Sequence, residues 1–229
     1  EKKLPTLCLW VEGWSQPSNT KWNEKRRLLW VKGRALENIH SDGISGVSYT
    51  IGLRYETDGS IIWNRRGLVI EGATQLTVWL TAATDMFEKD MEGVCCHRLE
   101  EAVQDGWEKV RAEHVKEHRA GMEQCSFTMP DTHADLPTEQ RIRAFAENKG
   151  GDDGLIALFF QYGRYLIFNS SRSDSVVPAA LQGVWNDDRA CRMEWTDDMH
   201  LDINTQMNYY PAENTGLGEC VQPLFRWIK

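Results

Sequence analysis

The chain has 229 residues, enough for one large core or two modest domains. Its 41% hydrophobic and 26% charged residues are ordinary for a globular protein, and the formal net charge of −8, with Lys and Arg scattered, excludes an electrostatic footprint for nucleic acid. The longest uninterrupted apolar run, 155–160, is far short of the roughly 20 residues that cross a bilayer.

The opening "EKKLPTLCLW" has no initiating Met and no capping residue for any element, so both ends are expected to be cut from a longer polypeptide, and the missing signal peptide carries little weight. Ten tryptophans are many for this length. Most are expected in cores and interfaces; the sharper reading is a flat platform for a sugar ring. The first 85 residues read as strands. In "GVSYTIGLRYE" (46–56) the residues Val47, Tyr49, Ile51, Leu53 and Tyr55 recur at period two, which predicts one buried face. The turns "TDGS" and "NRRG" separate it from "IIW", "LVIEG" and "QLTVWLTAAT". This is the pattern of an antiparallel sandwich, though the stretch is too short for a whole one.

From 92 to 125 alternating charges accompany a stripe of Val94, Leu99, Val103, Trp107 and Val110, which predicts a surface helix pair broken at Gly106. His114 and His118 stand four apart, but "HVKEH" lacks the glutamate placement of a zinc protease and suggests no third ligand, so a solvated helix face is expected and no metal. Residues 136–148 form another helix, with Pro137 and Thr138 near its start. "KGGDDG" (149–154) reads as a loop and a domain boundary. The stretch 155–172 is apolar on almost every side, so it is expected to be buried all round, with Gly163 allowing another helix close by. That points to layered helices, such as an inner ring within an outer ring. Strands first and helices second, with little interleaving, imply separate all-β and all-α domains rather than a doubly wound sheet.

Of the six cysteines, Cys8, Cys95, Cys96, Cys125, Cys191 and Cys220, none forms a CxxC pair. They are too sparse for a disulfide scaffold, and buried thiols in a reducing compartment are the expectation.

The chemistry concentrates near the end. His200, Asp202 and Asn204 fall on every second residue of "MHLDINTQMNYYPAEN", with Leu201 and Ile203 between them. An imidazole, a carboxylate and an amide in one row suit a polar pocket. Upstream, 170–198 reads as a long irregular segment and supplies Arg172, Gln182, Trp185 and Asn186. Donors and acceptors beside an aromatic ring are what a carbohydrate site uses. Each residue also has a bland role open to it: Asn186, Asp197 and Asp198 as helix caps, and His200 as a structural hydrogen-bonder.

The order of the pieces goes further. "GRYLIFNSSR", "PAALQGVWND", "HLDINTQMNYYPAEN" and "GECVQPLF" follow one another between Gly163 and Phe225. Together they resemble the catalytic domain of glycoside hydrolase family 95, the inverting α-L-fucosidases, whose pattern runs "GRYLL-SSR", "P-LQG-WN", "H-x-N-x-N-xx-MNYWPAE" and "L-EC-EPLF". The resemblance implies a multi-domain α and β chain. Residues 1–87 would be the back part of a β-sandwich, 88–150 a helical linker, and 151–229 the start of an (α/α)6 toroid. It implies that His200, Trp185 and Asn186 bind the sugar, and that Asn204, with Asp202, holds the attacking water. The ligand implied is a fucosylated oligosaccharide or glycoconjugate ending in α-L-fucose or a sugar of similar shape such as L-galactose. No cofactor is implied, because water and acid–base groups suffice.

Two positions depart from the pattern. Asp202 replaces the first asparagine of the water-holding pair, so a carboxylate stands where an amide is usual. Tyr210 replaces a tryptophan. Inversion also needs a protonated carboxyl and a base about 6.5–9.5 Å apart. In the family the general acid and the distant aspartate lie well downstream of "EPLF", so this chain is expected to lack both, along with the remainder of the catalytic domain, and not to turn over an aryl α-L-fucoside. Glu194, Glu213 and Glu219 are acids by type only; Glu213 sits near a helix start, where the dipole favours the charged form. The competing readings are a non-catalytic carbohydrate-binding protein and a helical scaffold whose polar segment ties helices together.

Overall fold

The computed structural model of the chain describes residues 2–10, 19–35, 46–64, 67–148, 150–185 and 197–229. The chain divides into two compact units, Glu1–Glu113 and His114–Lys229.

The first unit holds seven strands among the described residues: β1 (Leu7–Leu9), β2 (Asn19–Asn23), β3 (Leu28–Arg34), β4 (Ser48–Thr57), β5 (Ser60–Asn64), β6 (Gly67–Glu71) and β7 (Leu76–Thr84). They form two antiparallel sheets, β1-β6-β5 and β2-β3-β4-β7. Leu29, Leu53 and Tyr55 from the larger sheet and Leu68 from the smaller make one buried cluster, so the sheets pack face to face. At its edge Trp22 stacks on Trp63 with ring centroids 5.9 Å apart, and the Trp22 indole donates to the Tyr55 hydroxyl at 3.0 Å. The turn from β4 to β5 is tied by Asp58. Its carboxylate accepts from the Thr74 and Gln75 amides and the Thr74 hydroxyl, and these bonds hold its pKa at about 2, against an ordinary 3.8.

The period-two face is only part of what β4 buries. Thr50, on the opposite face, is fully buried as well. There the helix α1 (Met91–Met122) covers the sheet, with Cys95 and Leu99 clustered against Leu28, Trp30, Trp79 and Ala83. A Cβ at Gly52 would lie 2.5 Å from the Trp30 ring and 3.0 Å from Leu99, so only glycine fits there. Neither Thr50 nor Gly52 is apolar by type, which is why hydropathy alone saw one face. The helix starts at Asp90, whose carboxylate accepts from the Gly93 amide at 2.9 Å. It breaks where expected: Gly106 has φ 75°, ψ 161° inside the helical run. Trp107, just past the break, leaves the stripe and is 56% exposed.

The second unit contains the last turns of α1, then α2 (Thr138–Asn148), α3 (Asp153–Ser170), α4 (Asn204–Tyr209) and α5 (Gln222–Ile228), with 3-10 turns at Glu213–Thr215 and Gly218–Val221. Asp152 caps α3 by accepting from the Leu155 amide at 2.9 Å. It also takes a two-pronged contact from Arg141 of α2, at 2.8 and 2.7 Å, and Arg141 reaches Asp131 at 2.9 Å. The Arg141 hydrogen bond is the main reason the Asp152 carboxyl is held at about 2. The core gathers Phe168, Tyr209, Ala212, Leu217 and Cys220. A Cβ on Gly121 would lie 2.2 Å from the Phe168 ring, so α1 and α3 can meet only because position 121 has no side chain.

One expectation fails here. α3 is not buried all round: Phe159 is 75% exposed and Tyr162 52%, whereas Arg164, Ile167 and Phe168 are buried. Phe159 and Tyr162 border an open groove with Ile142 and Phe145 of α2, so the helix is apolar on both sides but enclosed on one. Of the cysteines, Cys95 and Cys220 are buried and Cys8, Cys96 and Cys125 half-buried, while Cys191 lies outside the described residues. Burial pushes the Cys220 thiol up to about 11 and raises that of Cys95, which leaves both unreactive.

Candidate functional site

Two buried polar devices build the end of α3. The first is Arg164, 2% exposed. Its guanidinium donates to the carbonyls of Met122 (2.9 Å), Cys125 (2.7 Å) and Thr215 (3.0 Å) and to Gln161 Oε1 (2.8 Å), with a longer contact to the Gly121 carbonyl. A buried cation needs such partners. Met122 is the last residue of α1, at the negative end of the helix dipole, Cys125 lies just beyond it, and Thr215 ends a 3-10 turn. The second is a relay through Tyr209. The Ala179 amide donates to the Tyr209 hydroxyl at 2.7 Å; the hydroxyl lies 2.7 Å from Ser171 Oγ, which donates to the Cys220 carbonyl at 2.8 Å. Since Ser171 spends its proton on Cys220, the Tyr209 proton goes to Ser171. The relay ties α4 to both ends of the segment 171–179, and burial raises the Tyr209 pKa.

The loop beyond is held from two sides. Asn208 of α4 donates to the Ala180 carbonyl at 2.9 Å. Ala180 and Gly183 close a tight turn, with Gly183 at φ +76°, the left-handed region that glycine occupies without strain. A Cβ at Gly183 would touch the Trp185 ring at 3.2 Å, so the indole lies close over bare backbone. On the other side, Asp198 accepts from the Leu181 amide through its carbonyl (3.1 Å), and the Asp197 carboxylate accepts from the Gln182 amide (2.6 Å). Asp197 adopts φ +57°, which aspartate tolerates better than most residues. Burial raises its pKa, with the neighbouring charge of Asp198 adding to the effect.

Trp185 therefore stands on a braced loop. Its ring stacks on Tyr165 (centroids 6.4 Å apart, 24° between planes), and Tyr165 stacks on Tyr162 (6.1 Å, 12°). The three rings border an open cleft of about 850 Å³ that Gln182, Met207 and Asn208 also line.

The other predicted residues are placed differently. His200 is half-buried, and its carbonyl accepts from the Thr205 amide at 2.9 Å; Asp202 and Asn204 are exposed. Residues 201–203 form a turn and Asn204 is the first residue of α4, so the alternating row is not an extended strand. Leu201 (47%) and Ile203 (55%) are exposed along with the polar residues between them. Trp185 borders the cleft, whereas His200, Asp202 and Asn204 are not among its lining. Asn186 and Glu194 lie outside the described residues. Arg172 turns away to pair with Glu117, its guanidinium carbon 3.8 Å from the centre of the Phe168 ring. Glu213 opens a 3-10 turn and is exposed, as is Glu219. Among the described residues no group of three side chains is arranged to hold a metal.

Residues 106–229 match the glycosyl hydrolase family 95 catalytic domain. The chain belongs to this family. Among its relatives are probable alpha-fucosidase A of Aspergillus niger (34% identical over 129 residues) and of Aspergillus oryzae (39% over 124), and alpha-L-fucosidase 2 of Arabidopsis thaliana (31% over 140). The matches cover 53–58% of this chain and 16–17% of the relatives, so the matched part corresponds to about a sixth of their length. Within the family segment, sequence reasoning passed over Arg164, Tyr209 and the Tyr162–Tyr165 pair. A single charged residue in the otherwise uncharged, mostly apolar run 155–168 was the available signal for the first, since an unpaired charge is not tolerated in such a helix.

Proposed function

We propose that this chain is part of an α-L-fucosidase-type glycoside hydrolase that removes terminal α-L-fucosyl, or similarly shaped α-L-galactosyl, groups with inversion. In this reading residues 1–87 are the back of the family's sandwich, 88–150 its linker and 151–229 the opening of its (α/α)6 toroid. The observation that carries it is the ordered run of family motifs between Gly163 and Phe225, inside the matched segment.

Trp185 offers the apolar face of its indole to the sugar, and Asn186 and His200 supply hydrogen bonds to its hydroxyls. Asn204 holds the attacking water. Asp202, a carboxylate in place of the usual amide, accepts the water's proton as the water adds to the anomeric carbon. The leaving oxygen takes its proton from a general acid, which the resemblance to the family places downstream of the "EPLF" motif.

The test is a titration with L-fucose, followed by tryptophan fluorescence. L-Fucose should quench emission saturably, L-galactose should compete, and D-glucose should not. His200→Ala should lower the affinity while leaving the melting temperature nearly unchanged. If the three sugars behave alike, or if His200→Ala binds as the wild type does, the assignment is wrong.

A further inference from the structure

In the proposed function one sugar ring is held by two separate parts of the chain: the Trp185 indole on one, and His200 with the reacting pair 202 and 204 on the other. A ligand that touches both binds well only if their spacing is set beforehand. Both ends of the stretch 197–208 grip the same turn, the one closed by Ala180 and Gly183. At one end the Asp197 carboxylate accepts from the Gln182 amide at 2.6 Å, and the Asp198 carbonyl from the Leu181 amide at 3.1 Å. At the other end the Asn208 side chain donates to the Ala180 carbonyl at 2.9 Å, with a longer contact to that of Leu181. His200, Asp202 and Asn204 lie between these two ends, and Trp185 follows the turn.

Within this clasp Asp197 is the member whose own conformation is unfavourable. Its φ is +57°, in the left-handed region, which costs aspartate less than most residues but is not free. It does not cap a helix: α4 begins at Asn204, and its N-cap is Ile203, with no side-chain capping bond. The carboxylate instead reaches an amide 15 residues away. It is also partly desolvated, which raises its pKa, and the Gln182 hydrogen bond works against that rise. A strained backbone and a partly desolvated charge persist where the surroundings hold them, and such positions cluster at binding sites. We infer that Asp197 is a positioning residue for the sugar site: its carboxylate fixes the Trp185 loop to the stretch that carries His200, Asp202 and Asn204, so that platform and polar groups meet the same ring. This rests on the proposed fucosidase reading and names the contact that sets the site's spacing. Asp197 acts through the loop, not by touching the sugar.

Two substitutions separate the hydrogen bond from the backbone. Asp197→Asn keeps an acceptor oxygen and suits φ +57°; Asp197→Gly also suits that backbone but removes the acceptor. L-Fucose affinity is measured by calorimetry, and exchange of the Gln182 amide is followed without sugar. Asp197→Gly should bind roughly tenfold more weakly than the wild type, because a hydrogen bond to a charged acceptor favours the binding-competent loop by about that factor. Asp197→Asn, with a neutral acceptor worth about half as much, should stay within roughly threefold of the wild type. Gln182 exchange should quicken in the Gly variant and much less in the Asn variant. Circular dichroism melts show that both variants fold. An Asp197→Gly chain that binds L-fucose as the wild type does, an Asn variant as weak as the Gly variant, or Gln182 exchange that is the same in all three would overturn the inference and leave the fucose site standing. A wild-type chain that does not bind L-fucose would reject the fucosidase reading and the positioning role together.

Discussion

Replacing Arg164 by Met is the most demanding perturbation of the catalytic-domain segment. Methionine preserves the length of the apolar stem and removes every donor. The guanidinium makes three contacts to backbone carbonyls at 2.7–3.0 Å, those of Cys125, Met122 and Thr215; the 3.4 Å contact to Gly121 is too long to count for much. A hydrogen bond from a charged donor contributes about 1.5–3 kcal/mol, and a buried acceptor left without a partner costs about 1–3 kcal/mol. Some of the carbonyls will find water, so the lower bound applies: three at about 1 kcal/mol each, or roughly 3 kcal/mol in total. That is a large share of the 5–15 kcal/mol typical of a domain. At about 2–4 °C per kcal/mol for a chain of this size, the melting temperature should fall by roughly 6–12 °C. Arg164→Lys, with three donors and no planar fork, should fall between. Urea unfolding by circular dichroism gives the free energy, and amide exchange should show faster opening of Gly121–Cys125. A loss under about 1 kcal/mol for Arg164→Met would show that the carbonyls are solvated without the guanidinium, and the clamp would be refuted.

Three further outcomes follow from the same geometry. Tyr209→Phe removes the acceptor of the buried Ala179 amide, so it should cost about 1–3 kcal/mol in urea unfolding despite the near-identical shape; a loss below about 0.5 kcal/mol would mean the amide is otherwise satisfied. Gly163→Ala should raise stability by up to about 1 kcal/mol, because alanine is the better helix former and the added Cβ meets nothing within 4 Å; a fall in melting temperature would show the position is covered. Asp58 and Asp152 are both held at about 2 by hydrogen bonds, below the ordinary 3.8. A depressed carboxyl stabilises the fold above its unfolded pKa and loses that contribution as pH falls toward the folded value. Stability should therefore drop between about pH 4 and pH 2, and Asp58→Asn should flatten part of that drop in acid titrations followed by circular dichroism; an unchanged slope would count against the Asp58 clip.

The parts of the fold that rest on local rules were legible. Period two placed β4, Gly and Asp marked the turn at 57–60, and a glycine inside a charged helical pattern marked the break at Gly106. What was not legible depends on partners distant in sequence. The second buried face of β4 exists because α1 lies on Thr50 and Gly52, and no hydropathy pattern reports a residue buried by its backbone neighbours. The alternation of His200, Asp202 and Asn204 reads as one row of side chains facing a pocket, but three residues cannot separate such a row from a turn entering a helix, and the backbone takes the second course. Trp185 was found by residue type and motif. Its neighbours Tyr162 and Tyr165 were read only as members of a buried helix, because their exposure depends on which face of α3 its surroundings cover. Arg164 and Tyr209 were hidden for a related reason: their partners are backbone carbonyls and an amide, which leave no trace in the sequence.

The account turns on where a fucose ring would sit, and a crystal structure of the chain with bound L-fucose addresses that directly. The sugar should lie with one face on the Trp185 indole, its hydroxyls within hydrogen-bond reach of His200, and its anomeric carbon toward Asn204 and Asp202 with a water between. A sugar bound elsewhere, or at Trp185 with its anomeric carbon turned away from both side chains, would contradict the assignment.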